Sequence, residues 1–68
     1  MKHYKIIVYY KTTDTFKTIE VFANNFYEAR DTAKENVMQI IRKSDTRQVK
    51  DILNDLVIIS VEVLKWNI

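Results

Sequence analysis

The sequence has no cysteine, no glycine and no proline, and each absence excludes a class of site or scaffold. Without cysteine there can be neither a disulfide framework nor a thiolate zinc site, so stability must come from core packing or from association with another chain. Without glycine the chain cannot carry the loops that cradle phosphates in nucleotide-binding proteins. We therefore expect no cofactor, and the lack of cysteine is typical of a reducing compartment.

Long apolar runs are absent as well. The unbroken apolar runs, such as Ile6 to Tyr10 and the run that begins at Leu56 and stops at Ser60, are far short of the roughly 20 residues that a membrane span needs. The first residues, Met1 to Lys5, lack the apolar centre of a signal peptide. We expect a cytoplasmic protein that does not bind membranes.

Histidine is scarce, which leaves few candidates for a catalytic or metal site. His3 is the only histidine, and nucleophilic catalysis would require it to meet Ser44 or Ser60, of which Ser60 lies in a predicted strand without a glycine-rich elbow. The carboxylates Glu28, Asp31 and Glu35 share a helix face, but Arg30 and Lys34 alternate with them, as on an ion-paired surface. We expect no metal site, no enzymatic activity and no small-molecule substrate.

The 68 residues have room for one domain, residues 1–68. A chain this short buries only about 60% of the surface of its unfolded form, which leaves little room for a deep substrate pocket. The formal net charge is +2, with a pI near 9.0, and this is too close to balance to indicate nucleic-acid binding by itself.

Two segments near the N-terminus alternate apolar and polar residues with the period of two that is typical of strands. They run from His3 to Lys11 and from Thr15 to Ala23. The turn between them contains no glycine, so a positive φ angle falls to Asp14, whose short polar side chain tolerates that region. The sequence predicts a β-hairpin.

After Ala23 the apolar period changes to 3.6, which predicts a long helix. Its apolar stripe consists of Phe26, Ala29, Ala33, Val37, Ile40 and Ile41. Asn25 is a suitable N-cap, and Glu28 three residues later completes a capping-box-like pair. Arg42 and Lys43 stand where a helix C-terminus favours cations.

A second, shorter helix and a third strand follow a break at residues 44–46. Helical spacing resumes at Val49, Ile52, Leu53 and Leu56, with Asp45 as the candidate N-cap and Gln48 at its third helical position. From Leu56 to Trp66 the chain is rich in β-branched residues and alternates again, which predicts a strand.

These elements predict an α+β fold, a single small ββα(α)β domain. A right-handed crossover would place the third strand beside the first, giving a three-stranded antiparallel sheet in the order 2-1-3 with one long helix on one face and the short second helix. If the second helix reverses the chain once more, the third strand would run in the other direction.

The predicted sheet carries apolar residues on both sides, and this bears on function. The side expected to meet the helix comprises Tyr4, Ile6, Val8, Ile19, Val21, Val57, Ile59, Val61 and Val63. The opposite side keeps Ile7, Tyr9, Phe16, Phe22, Ile58, Leu64 and Trp66. An apolar patch of several hundred Å² on a monomer usually marks an interaction site. It would be covered by another protein, by a second copy, or by the chain itself through the short helix or residues 66–68.

Basic residues supply a second hypothesis. Aromatic residues of the sheet could stack unpaired bases while cations bind phosphates, and the candidate cations are Lys5, Lys11, Lys17, Arg42, Lys43, Arg47 and Lys50. Glu20 and Glu62 argue against nucleic acid, since they are predicted on the same side as the aromatic residues and would repel phosphate.

The junction between the second strand and the long helix runs Val21-Phe22-Ala23-Asn24-Asn25-Phe26-Tyr27-Glu28-Ala29-Arg30-Asp31-Thr32-Ala33. It resembles a junction in small phage-encoded ββαβ accessory proteins, among them some anti-CRISPR inhibitors. The resemblance covers residues 4–37 and carries no catalytic residue. It implies a protein-binding module that inhibits a host defence protein by covering its surface, in the host cytoplasm. The alternatives are a nucleic-acid-binding protein and a self-assembling structural subunit.

Overall fold

The alternating and helical segments of the sequence form the elements that their periods predict. A computed structural model describes residues 1–66, with side chains through residue 64. The elements are β1 (Lys2–Tyr10), β2 (Thr15–Ala23), α1 (Phe26–Ile41), α2 (Val49–Asn54) and β3 (Leu56–Trp66). The three strands form one antiparallel sheet in the order β2-β1-β3. The predicted fold class is therefore confirmed, and the alternative with a reversed third strand is wrong.

The turn of the hairpin depends on Asp14. This residue has a φ of 53°, the one positive φ within residues 1–66. Its carboxylate accepts a hydrogen bond from the Tyr9 hydroxyl, and its backbone N–H donates to the Lys11 carbonyl at 3.4 Å. The prediction that Asp14 takes the left-handed conformation is confirmed.

Helix α1 begins at a side-chain cap and packs through small residues. The Asn25 side chain accepts a hydrogen bond from the Glu28 N–H at 2.9 Å, as predicted. The buried residues of the helix are Ala29, Ala33, Val37, Met38 and Ile41. Ala29 and Ala33 are fully buried, and their small side chains let the helix approach the sheet closely. Phe26 and Ile40, predicted on the same stripe, are exposed.

The prediction that Asp45 caps the second helix is wrong. Helix α2 begins after Gln48, whose side chain makes no capping hydrogen bond. Asp45 instead accepts hydrogen bonds from Tyr10 and Arg47. The helix is held by tertiary packing, because Ile52 on its inner side is fully buried.

Strand β3 contains two irregularities that change which residues share a face. Between the pairs Ile7↔Ser60 and Val8↔Ile58 the strand has one extra residue, Ile59. Between His3↔Lys65 and Tyr4↔Val63 it has another, Leu64. Such bulges shift the alternation of all later residues by one position.

The bulges overturn part of the predicted alternation. Ile58 was expected on the uncovered side but lies opposite Val8 and packs against the core. Val57 was expected under the helix but lies opposite Tyr9, on the other face. Ile59 was expected in the core, and its side chain is 51% exposed. No single period of two can describe a strand that is interrupted twice.

One hydrophobic core lies between the sheet and both helices. It consists of Tyr4, Ile6, Val8, Tyr10, Val21, Ala23, Ala29, Ala33, Val37, Met38, Ile41, Ile52 and Leu56, with Ile19, Val49, Leu53, Ile58 and Val61 packed at its border. Helix α2 therefore packs on the same side of the sheet as α1. The expectation that the short helix folds across the opposite side is wrong, and the alternative cover, residues 66–68, falls outside the described side chains.

Candidate functional site: the uncovered face of the sheet

The face of the sheet opposite the helices is here called the open face. Cross-strand pairs share a face, so the register assigns its members. They are His3, Lys5, Ile7 and Tyr9 of β1, Phe16, Thr18, Glu20 and Phe22 of β2, and Val57, Ser60 and Glu62 of β3. The residues of β2 on the open face are exposed, with Phe16 at 62% and Phe22 at 57%.

One end of the open face is apolar. Tyr9 lies opposite Phe16 on one side and Val57 on the other, and the centroids of the two aromatic rings are 4.8 Å apart. Ile7 lies in the next row, between Thr18 and Ser60. The Tyr9 hydroxyl donates to the Asp14 carboxylate, and this hydrogen bond raises the pKa of Tyr9 and fixes its ring.

The other end of the open face is polar and charged. Lys5 lies between Glu20 and Glu62, with one carboxylate residue on each neighbouring strand. His3 Nε2 is 2.8 Å from Glu20 Oε1, and the imidazole stacks on the Phe22 ring with a centroid separation of 4.6 Å. The open face is thus divided into an apolar end and a charged end, whereas the sequence predicted apolar and charged residues on this side without their arrangement.

The structure brings together only some of the residues predicted to bind a partner. Ile7, Tyr9, Phe16 and Phe22 lie on the open face, although Phe22 is separated from the other three by the row of Lys5. Ile58 lies on the helix-covered face, so its assignment to the open face is wrong. Leu64 is exposed within the second bulge, and the Trp66 side chain falls outside the described residues. Val57 was missed, because only the bulge at Ile59 places it beside Tyr9.

The predicted nucleic-acid-binding cations do not form one surface. Lys5 is flanked by two carboxylates, and Lys17 lies opposite Val8 on the helix-covered side. The remaining candidates stand at the ends of elements: Lys11 at the hairpin turn, Arg42 and Lys43 after α1, Arg47 in the loop between the helices and Lys50 on α2. The sequence could not place them relative to one another, since they belong to segments that are far apart along the chain.

Arg47 is occupied by a structural hydrogen-bond network, here called the Arg47 cluster and comprising Tyr10, Thr12, Asp45, Arg47 and Asp55. Arg47 Nη2 donates to the Tyr10 hydroxyl at 2.6 Å, to the Thr12 hydroxyl at 2.9 Å and to Asp55 Oδ2 at 3.2 Å. Its Nε lies 3.3 Å from both oxygens of Asp45. The guanidinium joins the hairpin turn, the loop between the helices and the end of α2.

The carboxylates of the Arg47 cluster are held in their charged form. The hydrogen bond from Tyr10 lowers the pKa of Asp45, and the contacts with Arg47 lower it further. The hydrogen bond from Thr12, followed by that from Arg47, lowers the pKa of Asp55. The pKa of Arg47 is raised, chiefly by its hydrogen bond to Tyr10. The charged carboxylates of Asp45 and Asp55 beside the guanidinium would repel a phosphate, so Arg47 is a poor candidate for binding nucleic acid.

A groove of about 450 Å³ lies between helix α1 and the outer edge of β3. Its walls are Phe26, Arg30 and Lys34 of the helix and residues 56–61 of the strand. Sequence reasoning missed this groove, because Arg30 and Lys34 were interpreted only as ion-pair partners of neighbouring acids. Across the described side chains, neither of these cations has a carboxylate within 4.0 Å.

Among the described residues, no three side chains of the metal-binding types are grouped where they could hold an ion. Neither helix within residues 1–66 combines the length and the hydropathy needed to cross a membrane. No protein-family model, no curated protein and no solved structure matches this chain.

Proposed function

We propose that the protein is a protein-binding module that uses the apolar end of its open face. Tyr9 lies at the centre of this surface, with Phe16 and Val57 on its two sides and Ile7 in the next row, and Phe16 on the edge strand is the exposed anchor. The observation that carries the proposal is an aromatic pair on a sheet face that neither helix covers, with Phe16 62% exposed. Aromatic side chains in this setting are typical anchors of protein interfaces.

The partner in this proposal is a different protein, and the composition of the face supports that choice. The apolar end is bordered by the charged row of Glu20, Lys5 and Glu62. An apolar centre with a charged border is typical of non-obligate interfaces, whereas obligate homodimers are more uniformly apolar. The module would act by covering a surface of its partner, and the resemblance to phage-encoded inhibitors makes a host defence protein the first partner to test.

The experiment compares two exposed aromatic residues on opposite sides of the molecule. The immobilised protein would capture partners from lysate of the host, with identification by mass spectrometry and measurement of affinity on the purified partner. Phe16→Ala should weaken binding by about tenfold or more, since truncated anchors commonly cost at least 2 kcal/mol. Tyr27→Ala removes a 72% exposed ring from α1 and should leave the affinity unchanged. Circular dichroism would verify that both variants fold.

Three outcomes would overturn the proposal. If the chain sediments as a dimer that Phe16→Ala dissociates, the open face joins copies of the same protein. If the chain binds single-stranded oligonucleotides and the affinity falls steeply with added salt, the cations matter more than the aromatic residues. Equal capture by wild type and Phe16→Ala would also contradict it.

A further inference from the structure

We propose that the groove between α1 and β3 binds an extended acidic peptide segment of a partner protein, which adds a strand to the outer edge of β3. This second surface lies at the edge of the sheet, beside the open face, and Val57 and Ser60 border both. The strand order leaves β3 at the edge of the sheet, paired only with β1 in the described part of the chain. Such an edge presents backbone N–H and C=O groups to an incoming strand.

Arg30 supplies the first argument for an acidic ligand. Its Nε is buried and makes no hydrogen bond to any described residue. A buried charged donor without an acceptor is unfavourable, and because Nε itself has no solvent contact, a carboxylate in the groove would offset this cost by pairing with the positive charge of the guanidinium as a whole. The guanidinium also lies 6.0 Å from the centroid of the Phe26 ring, a contact that orients it beside the groove.

Lys34 supplies the second argument. It stands four residues after Arg30 on the same face of α1 and lines the same groove. No Asp or Glu is among the residues that form the walls. Two cations in a groove without a counter-charge complement a ligand with two carboxylates on one side.

The geometry of a strand sets the pattern of the ligand. Side chains of an added strand alternate between the helix side, where Arg30 and Lys34 lie, and the open face, where Glu62 lies. Acidic residues of the peptide therefore fit at every second position. A peptide with an acidic residue at every position would also place carboxylates beside Glu62, which would repel them. Phe26 and Ile59 are exposed and line the same groove, so they provide apolar contact for the peptide.

A second copy of the chain is the less suitable occupant. Residues 56–61, the part of β3 that lines the groove, contain no charged side chain. An edge-to-edge dimer through this segment would bring no carboxylate to Arg30.

The test uses a blocked hexapeptide of alternating threonine and glutamate, titrated into the isotopically labelled full chain. We expect chemical-shift changes at the amides of residues 57–61 and at the Nε–H of Arg30. The matched peptides replace glutamate by glutamine or by lysine, and each should bind about tenfold more weakly or not at all. The variant Phe16→Ala should bind the acidic peptide as the wild type does, so failure here is distinct from failure of the proposed open-face function.

Variants of the protein complete the test. Arg30→Gln with Lys34→Gln should weaken binding of the acidic peptide by about tenfold or more. If the double variant does not fold, Lys34→Gln alone should still weaken binding of the acidic peptide. Arg42→Gln with Lys43→Gln removes the same charge at the far end of α1 and should have no effect. The proposal is overturned if no peptide binds, if the glutamine peptide binds equally well, if the Arg42 and Lys43 variant loses as much affinity, or if β3 edges associate without peptide.

Discussion

At the scale of single residues, Arg47 makes side-chain hydrogen bonds that reach far along the chain. It binds Tyr10 and Thr12, which precede it by 37 and 35 residues, and Asp55, which follows it by eight. These contacts connect the turn of the hairpin with both ends of α2. A residue in this position stabilises the tertiary structure although it lies on the surface.

The lowered pKa values of Asp45 and Asp55 predict that acid destabilises the protein. Both pKa values lie below the ordinary 3.8, so at low pH the unfolded chain binds more protons than the folded one. Each carboxylate makes its full contribution to the free energy of unfolding above about pH 4. This contribution is lost as the pH falls through the lowered pKa. Urea denaturation between about pH 7 and about pH 2 should show the free energy of unfolding falling over that acidic range.

The matched control removes the two titrating groups. Asp45→Asn with Asp55→Asn should be less stable than the wild type near neutral pH, and its stability should change less on acidification. If acid lowers the free energy of unfolding equally in both proteins, other carboxylates cause the acid sensitivity.

Short-range contacts were predictable at this scale, and long-range contacts were not. The positive φ of Asp14 and the cap formed by Asn25 depend on residues within a few positions, so their sequence signals are local. Asp45 has the sequence signature of a helix cap as well. Its side chain binds Tyr10, which is 35 residues away, and no local signal reports a partner at that distance.

At the scale of elements, the bulges of β3 decide the composition of the open face. The segment lacks glycine, so nothing in its sequence marks where the ladder is interrupted. The bounds of β3 were predictable from its β-branched residues. The faces of Ile58 and Val57 were not, because they follow from one extra residue at Ile59.

The bulge at Ile59 predicts an unusual tolerance to deletion. Without Ile59, Ile58 and Ser60 become consecutive and still lie opposite Val8 and Ile7, which are consecutive in β1. Deletion of Ile59 should therefore keep the register and cost no more than about 1–2 kcal/mol. Thermal unfolding followed by circular dichroism would measure the change.

Deletion of Ile7 is the contrasting variant. It removes a residue from the regular central strand and turns every side chain on one side of the deletion to the other face. This variant should lose cooperative unfolding. If deletion of Ile59 is equally damaging, the assigned register of β3 is wrong.

At the scale of the whole molecule, the helix is shorter than the sheet that it covers. The 16 residues of α1 span about 24 Å, whereas the 11 residues of β3 span about 36 Å. One helix of this length cannot cover both ends of the sheet. Val63 illustrates the difference, because it lies opposite the buried Tyr4 and is still exposed.

The strand order predicts a gradient of local stability. The central strand β1 pairs on both sides, and Tyr4, Ile6 and Val8 are almost completely buried. Its amide hydrogens should exchange with solvent about tenfold or more slowly than those of β2 and of the second half of β3, which fray from an edge. Amide hydrogen exchange followed by NMR would measure this order, and faster exchange in β1 than in β2 would contradict it.

The position of β1 in the chain has a consequence for synthesis. This strand is synthesised before the other four described elements, but one of its two neighbours, β3, is synthesised last of the five. A nascent chain that has emerged as far as Asp55 holds the hairpin and both helices. One hydrogen-bonding edge of β1 is then still unpaired. Closure of the sheet by β3 is therefore the step that commits the emerging chain to its fold, and until then a chaperone would find an apolar strand exposed.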